Sequence, residues 1–177
     1  MLKKLLAVAS VATCCLGNPA MATPQNYNSY QDITKKLNSI GVTTMVQNLC
    51  HPMGGVRGSY NSYTNVMCIT EDTNNSDSLF TVVLHETIHV IQDCIAGGVQ
   101  DGNMGSITAY LADGDRSQEK LMDDALLNDL HNRGLLNHAV KAAGGLDHQA
   151  AFIEIEAYAF QNDPDAVFKL LDQCNPK

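Results

Sequence analysis

The sequence predicts an α+β fold, with a small N-terminal β-hairpin or sheet packed on one central helix and a mostly helical C-terminal half. Three observations carry this. Short β-branched segments are confined to the first 70 residues, one long apolar segment fills the middle, and helical periodicity recurs through the last third.

Residues 1–22, MLKKLLAVASVATCCLGNPAMA, read as a secretory signal peptide. Lys3 and Lys4 precede an apolar run from Leu5 to Leu16, and Ala20, Met21 and Ala22 form a small-x-small cleavage site. The run is too short to span a bilayer. Val11, Ala12, Thr13 and Cys14 loosely resemble a bacterial lipobox, so a lipid anchor at Cys14 is a minor alternative, with Thr before the cysteine fitting poorly. Removing 22 of 177 residues leaves 155, which suits one domain spanning 23–177. That domain carries nine Lys and Arg against 19 Asp and Glu, about −10 with His neutral. Such acidity disfavours nucleic acid and anionic membrane as partners. No later segment reads as long and apolar enough to cross a bilayer, so the expected location is secreted or periplasmic.

Four cysteines follow the cleavage site: Cys50, Cys68, Cys94 and Cys174. An even count in an exported chain suggests two disulfides, with three pairings open. The expected arrangement is Cys50 with Cys68 across the strand region, and Cys94 with Cys174 clamping two helices. Thiolate ligation of zinc competes with this, but the chain has no CxxC spacing.

Along the chain, residues 30–40 place Ile33, Leu37 and Ile40 at helical spacing, and Gly41 ends the run. Residues 42–46, VTTMV, predict a strand. Residues 57–62 and 65–70 predict a hairpin turning near Tyr63 and Thr64. After the polar loop EDTNNSD, residues 78–96 form the central helix, capped by Ser76, Asp77 or Ser78. The segment GGVQDGNMGS ends that helix. Further helices are expected over 115–133, 135–143, 147–162 and 163–174, the last opened by Asp163 and Pro164.

The central helix carries HETIH at 85–89. Histidines four apart lie one turn above each other on one helix face, so His85 and His89 can reach a single metal ion. Glu86 then sits beside the metal rather than on it, placed to take a proton from a bound water. Leu79, Phe80, Val82, Val83, Leu84, Ile88, Val90 and Ile91 make the flanks apolar almost all round, and a helix this buried seldom carries two histidines and a glutamate without partners. Three specified letters also arise by chance, in which case the chain is a disulfide-stapled structural protein without metal.

A catalytic zinc takes three protein ligands and leaves a fourth position for water. A third ligand three residues beyond HExxHxxG is excluded, because Gln92 and Ile95 hold the positions that pattern needs. The downstream helix offers Glu154 and Glu156 within FIEIEAYAFQ. HETIH at 85–89, FIEIEAYAFQ at 152–161, and the lead-in of Gly58, Tyr60 and the VMCI strand resemble the gluzincins, the zinc metallopeptidase clan that includes thermolysin. The resemblance covers about half of the mature chain.

It implies a zincin-like fold, one Zn2+ ion held by His85, His89 and Glu154, and Glu86 as general base for hydrolysis of peptide or protein substrates. Where relatives place an acid four residues past the glutamate ligand, to steady a ligand histidine, this chain has Tyr158, which leaves Glu154 and Glu156 both in play. Gln92, one turn past His89, fits an HExxHxxQ variant of small metallopeptidase-like domains; the alternative is that it does no more than hydrogen-bond a neighbouring loop. Tyr60, Tyr110, Tyr158 and His148 are the candidate oxyanion donors, and spacing does not choose among them. The competing function is a non-catalytic zincin-fold binding or scaffold module that retains zinc.

Overall fold

The computed structural model describes residues 30–46, 57–70, 76–98 and 102–174. The expected signal peptide, the Cys14 anchor and Cys50 lie outside the described residues. Among those described, seven helices and one three-stranded sheet confirm the α+β class and its helical C-terminal half.

Helix α1 spans Tyr30–Ser39 and buries Ile33 and Leu37, two of the residues that set its periodicity. Gly41 follows at φ 91°, a left-handed conformation that suits glycine at a helix end. Strand β1, Thr43–Val46, runs parallel to β3, Val66–Ile69, with Thr43 opposite Val66. Strand β2, Gly58–Asn61, pairs antiparallel with β3, Gly58 opposite Ile69, so the sheet order is β1-β3-β2. The hairpin turn is held by Asn61 Oδ1, which accepts from the Tyr63 and Thr64 amides, and Asn65 leaves it at φ 54°.

Helix α2, Ser76–Ala96, is the hub: it packs against α1, β2, β3 and three later helices. Between Leu79 and Ala96 it is long and apolar enough to cross a membrane by length and composition, which corrects the sequence expectation. More than half of that stretch is nonetheless buried inside the protein, as befits a core helix. Its Ile88 and Ile91 share one core cluster with Ile33 and Leu37 of α1, Met67 and Ile69 of β3, and Val167 and Leu171 further on, all fully buried. Each such side chain contributes about 1.5–3 kcal/mol through burial.

The C-terminal half adds α3, Ile107–Ala112; α4, Arg116–Asn132; α5, Leu136–Ala142; α6, His148–Phe160; and α7, Pro164–Leu171. Caps explain where they start. Asp115 accepts from Ser117 and Gln118 amides, Asp147 from Ala150, and Asp163 from Ala166, with Pro164 in the first turn of α7. Helix α3 directly follows the glycine-rich stretch, in a segment for which the sequence predicts no element. A second small core, Leu126, Leu130 and Ala139, lies under α4 and α5 against α6.

Cys94 and Cys174 are disulfide-bonded, with Cα atoms 5.8 Å apart, clamping α2 to the chain beyond α7 as expected. This bond is compatible with a secreted or periplasmic protein. Cys68 is also disulfide-bonded.

The Cys94–Cys174 bond closes a loop across 80 positions, so it restricts the unfolded chain strongly. Replacing both cysteines by Ala is expected to cost about 2–4 kcal/mol, read as a lower urea midpoint. An unchanged midpoint would mean that the clamp adds nothing to the packing of α7 on α2.

Candidate metal centre

His85 and His89 project from the same face of α2 towards α6. Their rings meet edge to face with centroids 5.0 Å apart. Glu154, on α6, faces both: its Oε1 lies 3.3 Å from His85 Nε2 and its Oε2 lies 3.2 Å from His89 Nε2. One ligand atom from each residue falls within 4.8 Å of the others, a grouping that can hold a metal ion. Ligands at zinc bond lengths in a tetrahedral site stand about 3.3 Å from one another, so the spacing suits such an ion.

Both imidazoles are oriented from behind by glutamines. His85 Nδ1 lies 3.0 Å from Gln161 Oε1, and His89 Nδ1 lies 2.8 Å from Gln92 Oε1. An amide oxygen only accepts, so Nδ1 is the donor in each contact, and Nε2 of each ring is the nitrogen that faces Glu154 and the metal position. The family resemblance implies such support at position 158. Tyr158 instead lays its ring edge to face against His85, centroids 4.9 Å apart, and Gln161 takes the hydrogen bond. Gln161 was not anticipated; its place one turn beyond Ala157, at the end of α6, is the only sequence signal for it.

Glu156 does not join the metal group. Fully buried, it accepts from the backbone amides of Ile107 and Thr108, each at 2.9 Å, from Ser106 Oγ at 2.8 Å and from Gln92 Nε2 at 2.9 Å. Residues two apart on a helix point about 200° apart, so α6 can offer only one of its two acids to the metal. That one is Glu154.

Glu86 lies beside the triad, buried, under strand β2. A Cβ on Gly58 would stand 2.8 Å from Glu86 Oε1 and 2.8 Å from Val82 Cγ1, so only glycine lets the strand pass this close. Burial raises the Glu86 pKa, and the charges of His89 and His85 with the Tyr60 amide partly offset that. Burial also opposes charge on His89, yet its hydrogen bond to Glu154 and the charges of Glu86 and Glu154 prevail, and its pKa rises to about 9. Glu154, although desolvated, is held well below the usual carboxylate range by hydrogen bonds and charge from the two histidines.

A cleft of about 870 Å³ opens over these groups, within the range of ligand sites. Strand β2 forms one wall, residues 102–104 and α6 another. Of the four candidate oxyanion donors, Tyr158 lines the cleft. Tyr60 also borders it, but its hydroxyl points to Asn65 Oδ1 at 2.7 Å and Asp93 Oδ2 at 2.6 Å. Tyr110 bonds Gln173 and His148 is exposed at the start of α6, both apart from the cleft lining. Burial, with the charges of Glu154 and Glu86, raises the Tyr158 pKa, so its hydroxyl remains a donor.

The His89 shift sets a pH dependence. In metal-free protein the folded pKa of about 9 exceeds the unfolded value of 6.5, so this stabilisation is complete below 6.5 and lost as pH rises through 9. Metal binding requires neutral imidazole and therefore strengthens over the same window. Thermal unfolding of chelator-treated protein should show stability falling from pH 6.5 to 9, a slope that saturating divalent metal removes. His89→Ala should abolish both the slope and the metal response; a metal response that survives it would place the ion elsewhere.

Comparison of the chain with protein-family models, curated proteins and solved structures finds no match, so the reading of this site rests on its own geometry.

Proposed function

We propose that the chain is an exported zinc-dependent metallopeptidase of gluzincin type, built on a zincin-like fold. The observation that supports this most is the convergence on one cleft of three metal-ligand side chains and a separate buried acid, Glu86, beside them. Two imidazole nitrogens and one carboxylate favour zinc over the hard cations calcium and magnesium, which prefer all-oxygen sites.

When bound, zinc supplies a Lewis acid that polarises a carbonyl and acidifies water. His85, His89 and Glu154, all in the lining of the cleft, would hold it. Glu86 takes the proton of the attacking water and returns it to the leaving amine; its raised pKa strengthens it as a base. Tyr158, protonated in the cleft lining, would donate a hydrogen bond to the carbonyl oxygen as negative charge develops there. The substrate is an extended peptide lying along the outer edge of β2, which no described strand covers. Pairing with that edge carries its scissile bond across the triad, and Gly58 keeps the strand low enough for Glu86 to reach it.

Cleavage of an unfolded protein substrate by the zinc-loaded mature chain tests the reading. Glu86→Gln should keep zinc and lose about 10²–10⁴ in kcat. Tyr158→Phe should lose about 10²–10³ in kcat with KM little changed. Retained cleavage by Glu86→Gln would remove Glu86 as base. A parent protein that binds zinc and cleaves nothing would favour the non-catalytic zincin-fold binding module.

A further inference from the structure

The buried polar side chains behind the metal triad form a directed chain rather than a set of separate bonds. Gln92, fully buried, places Nε2 2.9 Å from the Ile153 carbonyl and 2.9 Å from Glu156 Oε2. Both are acceptors here, so the amide's NH2 must face them, and its oxygen is left to face His89 Nδ1 at 2.8 Å. His89 Nδ1 must then donate, which leaves Nε2 as the nitrogen that meets Glu154 and the metal position.

The acceptor character of Glu156 is itself fixed from the other side. Ser106 Oγ, the amides of Ile107 and Thr108, and Thr108 Oγ1 all surround the carboxylate as groups able to donate. Thr108 Oγ1 also lies 2.6 Å from Asp123 Oδ1, which extends the network to α4.

We propose that Glu156 is a positioning residue for the metal site, acting through the Gln92 amide to hold His89 in its Nδ1–H form with Nε2 turned to the ion. The assignment rests on the metal triad and is independent of peptide hydrolysis. A carboxylate that touches neither metal nor substrate thereby selects which ring nitrogen binds. The same carboxylate binds the first amides of α3, directly after the cleft-wall residues 102–104, so wall and ligand share one anchor.

Zinc affinity, measured by competition with a chromophoric chelator, tests this in the parent, Glu156→Gln, Gln92→Leu and the double variant. Each single variant should bind zinc about 10- to 100-fold more weakly. The double variant should bind no more weakly than Gln92→Leu alone, because the two residues act in series. An unchanged affinity in either single variant, or a full further loss in the double, overturns the proposal. Glu156→Gln also disturbs the start of α3, so a second measurement reads the ring directly. Long-range proton–nitrogen NMR of zinc-loaded protein should show His89 protonated at Nδ1 and ligated through Nε2. Gln92→Leu should lose the protected Nδ1 proton. Ligation through Nδ1 in the parent, or equal protection in both proteins, contradicts it.

Discussion

The described part of the molecule is arranged around a carboxylate on α6 that faces two imidazoles on α2 in a largely buried setting. Glu154 and the histidines are separated by more than 60 positions in sequence, yet their ligand atoms approach to 3.2 and 3.3 Å. A carboxylate desolvated this far is costly unless opposite charge or a metal ion compensates it. That requirement fixes how α2 and α6 pack, and with them the position of every group that borders the cleft.

The surrounding polar groups follow from the same constraint. A ligand histidine is useful only if the correct nitrogen faces the ion, and the two glutamines behind His85 and His89 impose that choice. Gln92 reaches onward to Glu156, which in turn gathers the amides at the start of α3. On the opposite side, Tyr60 ties β2 to Asp93 of the same helix, and Gly58 brings the strand onto Glu86. The face of α2 that carries His85, Glu86 and His89 is thus held from the sheet on one side and from α6 on the other.

Much of this was legible because the relevant signals are local. HETIH at 85–89 marks two candidate ligands and an acid by helical spacing alone, and Asp147, Asp163 and Pro164 mark helix starts through their own side-chain or ring chemistry. What sequence could not resolve depends on remote partners. Helix α3 has six residues, and its first amides are satisfied by Glu156, 48 or 49 positions away, so periodicity gives no sign of it. The choice between Glu154 and Glu156 needed the direction in which α6 faces α2. Gln161, the C-cap residue just past Phe160, stands behind His85, whereas the expected support lay at Tyr158, which meets the same ring edge to face. The parallel pairing of β1 with β3 is likewise a long-range fact, invisible in four-residue strands.

The most direct test of this account is X-ray absorption spectroscopy at the zinc edge on the metal-loaded protein. It should show one zinc per chain with two imidazole nitrogens and oxygen ligands at about 2.0–2.2 Å, and loss of the imidazole scattering when His85 and His89 are replaced together. Sulfur in the first coordination sphere, or an imidazole signal that survives that replacement, would contradict it.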